Sequence, residues 1–246
     1  MRVALITVGD EILSGDTVNT NAAWLGERLT ASGADVERMT VIPDRVAGIA
    51  RIVNEFRAEY DAVIITGGLG PTHDDVTMEG VAAAFGTELE ADKAAEQWLA
   101  EEAGYSGDDL APETTHIPAD AEFLPNPEGV APGCVIGNVY VLPGLPAEMK
   151  AMFDLVADEF GGDARYVETV ETPEPESELL DRIETLREQF DVIVGSYPGE
   201  HVKLKIQGYD EETVTEAAAW LEANRLRRAC FRRRPASRSG AAYPAI

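Results

Sequence analysis

Cysteine, histidine, lysine and long apolar runs are all scarce in this chain, and each shortage excludes a class of protein. Cys134 and Cys230 are the only cysteines in 246 residues, and they stand in unlike contexts without ligand-type spacing. Neither a disulfide framework nor a thiolate zinc site is therefore expected. Cys134, inside an apolar run, reads as a buried, reduced thiol. His73, His116 and His201 are scattered and offer no paired-ligand pattern, which argues against zinc. No apolar run approaches the roughly 20 residues that a membrane-spanning helix requires. Residues 2–8 (RVALITV) are too short for a signal-peptide core and run directly into Gly9-Asp10-Glu11, so they read as a first strand. The expectation is a cytoplasmic protein with no membrane partner. Catalytic signatures are missing too: there is no G-x-x-x-x-G-K-[ST] run, no complete G-x-G-x-x-G and no G-x-S-x-G elbow. P-loop enzymes, Rossmann dehydrogenases and serine hydrolases lose their support.

Acid is present in excess. The chain holds 45 Asp and Glu against 20 Lys and Arg, a formal charge of −25, and its lysines are only Lys93, Lys150, Lys203 and Lys205. Such a surface repels nucleic-acid backbones, so nucleic acid is excluded as a partner of the main body. Acid excess with so little lysine also points to adaptation to high salt, a halophilic trait. The charge is uneven: residues 225–246 contain seven arginines and no acid, which leaves 13 basic and 45 acidic residues before them, a net of −32. This tail has neither helical nor strand period and is expected to be disordered, a basic arm or a non-functional extension.

The remainder alternates strand and helix. Residues 2–8 form a strand, 20–29 a helix ended by Gly33, 34–42 a second strand, 43–60 a helix and 61–66 (DAVIIT) a fully apolar strand. That order predicts an α/β domain whose mostly parallel sheet is covered on both faces. A helix VTMEGVAAAF follows, then a second near 91–103 and a loose acidic stretch to Gly133. Residues 134–142 (CVIGNVYVL) read as a hairpin about Gly137-Asn138, and Pro146 opens a further helix. Gly161-Gly162-Asp163 is the expected boundary, giving domains over 1–161 and 162–224. The second reads strand, helix, strand, strand, helix, a small α+β unit.

Three segments carry chemistry. Residues 66–77 (TGGLGPTHDDVT) lie between an apolar strand and a helix. Glycines there let the backbone approach a ligand, and free N–H groups at a helix start attract phosphate. Asp74 and Asp75 at that start would repel phosphate unless a hard divalent cation intervened, although one of them capping the helix is an equal reading. Residues 9–15 (GDEILSG) follow the first strand, with Asn21 near the next helix start. Asp10 and Glu11 suit a metal or ribose hydroxyls, and equally suit turn formation and solvation. Residues 143–148 (PGLPAE) follow another strand and taken alone indicate a rigid turn.

Together, GDEILSG, TNAAWL, TGGLGPTHDDVT, APG and LPGLPAEM resemble the amino-terminal half of the competence/damage-inducible protein CinA. That half belongs to the molybdopterin-binding-like superfamily, which also holds the molybdenum cofactor proteins MogA and MoaB. The likeness covers about the first 160 residues. Residues 163–224, with Gly-Ser-Tyr-Pro at 195–198, resemble the KH-like unit that follows in CinA relatives. The resemblance implies a three-layer α/β/α domain. It also implies a pyrophosphatase for ADP-ribose-like dinucleotides assisted by a divalent metal (magnesium or cobalt) and potassium, or a pterin-binding protein of molybdenum cofactor biosynthesis. Carried over, Asp10, Asp74 and Asp75 would be catalytic and metal-binding. Gly9, Glu11, Asn21, Thr66, Gly67, Gly68, Gly70, Thr72, Gly144 and Glu148 would bind a phosphorylated nucleotide-like or pterin small molecule. Related domains often associate, so a homo-oligomer is compatible. CinA carries a further domain that deamidates nicotinamide mononucleotide; with 22 residues after 224, that activity is expected to be absent.

Overall fold

In this computed structural model the described residues are 1–70, 75–102, 111–162 and 165–224. The arginine-rich tail lies outside them, as do Thr72 and Asp74. The chain divides into two units, Met1–Arg165 and Tyr166–Ile246.

The first unit runs β1 (Arg2–Val8), α1 (Asp10–Ser14), α2 (Thr20–Ala31), β2 (Asp35–Ile42), α3 (Val46–Glu59), β3 (Ala62–Gly67), α4 (Thr77–Phe85), β4 (Leu89–Ala91), α5 (Lys93–Glu101), β5 (His116–Pro118), β6 (Glu122–Leu124), β7 (Gly133–Ile136), β8 (Val139–Pro143) and α6 (Pro146–Val156). Its six-stranded sheet has the order β2-β1-β3-β8-β7-β6. The pairs β1/β2, β1/β3 and β3/β8 are parallel, whereas β7 and β6 add antiparallel. This is the mostly parallel mixed sheet expected. The central strands β1, β3 and β8 are apolar on both faces, as strands covered on both sides are. Ala4, Ile6, Val8, Val63 and Ile65 pack with Ile49, Val53 and Phe56 of α3 and Met78 and Val81 of α4. Val3, Leu5, Ile64 and Leu142 turn the other way, onto Leu25 and Leu29 of α2 and Met149, Met152 and Phe153 of α6. Each fully buried Leu, Ile or Phe contributes about 1.5–3 kcal/mol relative to exposure.

The β7/β8 hairpin turns on Gly137, whose φ of 59° is left-handed. Asn138 Nδ2 then donates to the carbonyls of Arg57 (3.1 Å) and Tyr60 (2.9 Å), which anchors the hairpin to the end of α3. Cys134 is buried as expected, 3.8 Å from Met78 Sδ, and burial pushes its thiol up to about 12. Three features are additional to the sequence reading. Residues 10–14 are a short helix rather than a loop, and β4 and β5 pair as a separate two-stranded sheet. β6 extends the main sheet from within the acidic stretch read as loose.

The second unit contains β9 (Tyr166–Thr172), α7 (Leu180–Gln189), β10 (Ile193–Tyr197), β11 (Val202–Gly208) and α8 (Glu211–Ala223). Its sheet, in the order β10-β11-β9, is antiparallel throughout. Val170, Val194, Leu204 and Ile206 form its core with Ile183 and Leu186 of α7 and Val214, Ala217 and Leu221 of α8. Arg182 pairs with Glu174 and donates to the carbonyls of Glu178 (2.8 Å) and Asn224 (3.0 Å), tying a buried carboxylate to two chain segments. Among the described residues no helix is long and apolar enough to cross a membrane.

Candidate functional site

Because β1, β2, β3 and β8 run parallel, their carboxyl ends lie along one rim of the sheet, and the segments leaving them surround a cleft of about 810 Å³. Glu11, Ile12 and Thr17 to Asn21 line it after β1, Asp44 after β2, Thr66 to Gly70 and Asp75 after β3, and Pro143 to Pro146 with Glu148 after β8. A further wall comes from residues 128–131. A crevice at strand carboxyl ends is where open α/β sheets bind ligands.

Of the predicted residues, the structure brings Glu11, Asn21, Thr66, Gly67, Gly68, Gly70, Asp75, Gly144 and Glu148 together on this cleft. Gly9 and Asp10 are not among its lining residues. Asp10 opens α1 with an exposed side chain, and its main-chain N–H donates to Asp44 Oδ2 at 2.7 Å. Thr72 and Asp74 lie outside the described residues.

Local structure explains much of the site. Asn19 caps α2 by accepting from the Ala22 N–H (3.1 Å), and its Nδ2 donates to Thr7 Oγ1 (3.0 Å), so one side chain fixes the helix start against β1. Asn21 is buried; its Nδ2 donates to the Gly144 carbonyl (2.7 Å), joining the α2 start to the loop after β8. Gly68 has a steric cause, because the Asp75 carboxylate occupies the space that a Cβ would fill. Pro146 sits in the first turn of α6, as its sequence position predicts.

Two residues escaped the sequence reading. Asp44 reads as a helix-start residue, yet α3 begins at Val46 with Arg45 as its N-cap, and Asp44 instead receives the Asp10 N–H on the cleft. Burial raises its carboxyl above the usual range; the Asp10 N–H acts the other way, and the neighbouring charges of Asp10 and Glu11 raise it further. Asn126, fully buried, donates from Nδ2 to Glu148 Oε2 (2.8 Å) and to the Ala131 carbonyl (2.9 Å). A buried asparagine five residues before the recognisable APG run carried no periodic signal.

The electrostatic character is one-sided. Among the described residues the cleft holds Glu11, Asp44, Asp75, Glu128 and Glu148, and no Lys, Arg or His. Asn21 Oδ1 and Thr77 Oγ1 are buried without a partner among the described residues. Thr77 is the first residue of α4, and its hydroxyl lies where a side chain on Gly67 would have to go.

Comparison with known proteins agrees with this architecture. The family model MoCF_biosynth, described as "Probable molybdopterin binding domain", matches residues 4–161. A protein of Archaeoglobus fulgidus is 38% identical over 224 residues, covering 90% of this chain and 97% of its own length. A CinA-like protein of Citrifermentans bemidjiense is 42% identical over 161 residues, covering 63% of this chain. This chain spans only 39% of that relative's length. The crystal structure of the protein CinA from Thermoplasma acidophilum is similar over 65% of this chain and 97% of that one, at 38% identity and a TM-score of 0.59. A crevice built from the ends of β1, β3 and β8, inside a matched segment that fills most of the first unit, places this chain in the molybdopterin-binding domain family, in its CinA-like form.

Proposed function

We propose that the chain is a metal-dependent nucleotide pyrophosphatase that hydrolyses ADP-ribose-like dinucleotides. The observation that carries this reading is a cleft in which a glycine-rich turn faces several carboxylates and, among the described residues, no basic side chain. Backbone N–H groups of such a turn suit phosphate, carboxylates oppose it, and a hard cation between them reconciles the two. The donor set fits such an ion: Glu11, Asp44 and Asp75 offer only oxygen. Among the described residues no three His, Cys, Asp or Glu side chains form a metal-holding group by themselves. Phosphate oxygens and water would complete the shell, which is how magnesium is commonly held. When bound, the ion supplies Lewis-acid stabilisation of charge on the phosphoryl oxygens.

The chain's own residues then orient the ligand. Gly67 to Gly70 offer backbone N–H groups to its phosphates, and the Asp75 carboxylate, which fills the space beside Gly68 and Gly70, would bind the cation between them. The Asn21 bridge ties the β8 loop to the start of α2. Asp10 and Asp74 remain part of the proposed metal set, and potassium enters through the CinA resemblance alone.

Hydrolysis of ADP-ribose to AMP and ribose 5-phosphate in magnesium or cobalt is the expected activity. Asp75→Ala and Asp74→Ala should each abolish it without loss of fold, measured by chromatography of the products and by circular dichroism. No turnover of any dinucleotide would end this reading. The family description favours a second one, pterin binding without hydrolysis in the same cleft. Tight pterin binding with inert dinucleotides would transfer the assignment there.

A further inference from the structure

The two sides of the cleft differ in what they offer. The β3 side presents a glycine turn with the Asp75 carboxylate over it, whereas the β8 side adds side-chain acceptors beside the start of α6, which has no side-chain cap. Asn126 is completely buried, and both ends of its amide are engaged: Nδ2 with Glu148 Oε2 and the Ala131 carbonyl, Oδ1 with the Glu128 N–H at 3.3 Å. The Glu148 carboxylate lies against Gly129, where a Cβ would come within 2.5–2.6 Å of it. A glutamate in the first turn of a helix needs no such support, since water would satisfy it. Here a desolvated amide donates to one carboxylate oxygen, a side-chain-free position leaves room for both, and Glu148 lines the cleft. Asn21 supplies a second acceptor, because its Nδ2 is taken by Gly144 while its buried Oδ1 has no partner among the described residues. Val18 and Leu145, both largely exposed, line the same cleft and offer apolar surface. Phosphate placed here would meet acceptors and a negative charge, whereas a neutral N–H or O–H donor would satisfy both groups.

We propose that Glu148, held by Asn126 as a positioning residue, determines specificity: with Asn21 Oδ1 it accepts hydrogen bonds from neutral donors on the non-phosphate half of the ligand. The ligand then lies with its phosphates at the β3 turn and its sugar or ring at the β8 loop. This inference rests on the nucleotide reading given above. Ribose hydroxyls and a ring amino group share the required chemistry.

Calorimetric titration of the whole chain in magnesium tests it. The probes are α,β-methylene-ADP-ribose, which resists hydrolysis, its analogues lacking either the adenosine 2′,3′-hydroxyls or the adenine amino group, and inorganic pyrophosphate. Glu148→Gln keeps the bond to Asn126 and removes the charge; it should weaken the methylene analogue roughly tenfold. Pyrophosphate, which lacks the donor, should bind as tightly or more so. Asn126→Asp should reproduce the loss, and Asn126→Asp/Glu148→Gln, with donor and acceptor exchanged, should recover part of it. The analogue missing the recognised group should bind the unaltered protein and Glu148→Gln alike, which identifies the source. Equal affinities in the unaltered and variant proteins, or pyrophosphate weakened in parallel, would overturn the proposal while leaving the nucleotide reading intact. An unaltered protein that binds pyrophosphate but not the methylene analogue would remove both.

Discussion

In the first unit the buried polar side chains Asn21, Thr66, Thr77 and Asn126 gather about the carboxyl ends of β1, β3 and β8, while in the second Thr172 and Glu174 meet Arg182 in one closed patch. The closed patch is complete in itself: carboxylate, hydroxyl and guanidinium satisfy one another. The rim is not. Of the four buried side-chain atoms without a partner among the described residues, Asn21 Oδ1 and Thr77 Oγ1 belong to it, while His116 Nδ1 and Ser196 Oγ lie elsewhere. Buried polar groups in folded proteins are nearly always paired, so a rim left open marks where an outside group completes the set. Polar burial at the rim therefore serves recognition, whereas in the Arg182 patch it serves cohesion.

The sharpest way to break this contrast is Gly68→Ala. Its methyl must displace the Asp75 carboxylate, so ligand affinity or turnover should fall about a hundredfold while the melting temperature barely moves. A loss of stability with unchanged affinity would mean that the rim, too, serves cohesion. Glu174→Ala is the converse test: it strands a mostly buried guanidinium and should cost the second unit about 3 kcal/mol. Urea unfolding followed by Trp220 fluorescence, in a Trp24→Phe/Trp98→Phe background, reports that unit alone; ligand affinity should be unchanged. The smallest effect is expected from Asp44→Asn in chelator. A carboxyl whose folded pKa is raised stabilises the fold below its unfolded pKa and loses that contribution as pH rises through the folded value. The variant should therefore melt higher than the unaltered protein at pH 7, and the advantage should vanish near pH 3. An equal advantage at both pH values would show that ionisation of Asp44, disfavoured by burial and then by Asp10 and Glu11, is not the cause.

The sequence carried the scaffold further than the site. Apolar runs at 2–8 and 61–66, the Gly137-Asn138 turn and Pro146 are local signals, and each element they predicted is present. α1 was invisible because five residues between Gly9 and Gly15 are too few for a helical period, and β4, β5 and β6 because three residues show no alternation. For the site, the glycine turn and Asp75 were legible since glycine next to acid is conspicuous in any βα connection. Asp44 was not: its residue type announces a helix start, and only the parallel neighbour β1 redirects it to the Asp10 N–H. Asn126 is harder still, because a loop asparagine acquires meaning only through Glu148, 22 positions later, and Gly129 between them.

The pairing of β3 directly with β8 has a consequence for biosynthesis. Strands adjacent in space are separated by more than seventy positions in the polypeptide, and that interval includes a hairpin partner and two helices. An emerging nascent chain can form the β2-β1-β3 layer early, but the pocket wall contributed by residues 128–148 is incomplete until Glu148 has left the ribosome. Ligand capture is thus postponed until the last strand of the central layer has docked, and any small molecule that stabilises this protein does so by trapping a finished fold rather than guiding an unfinished one.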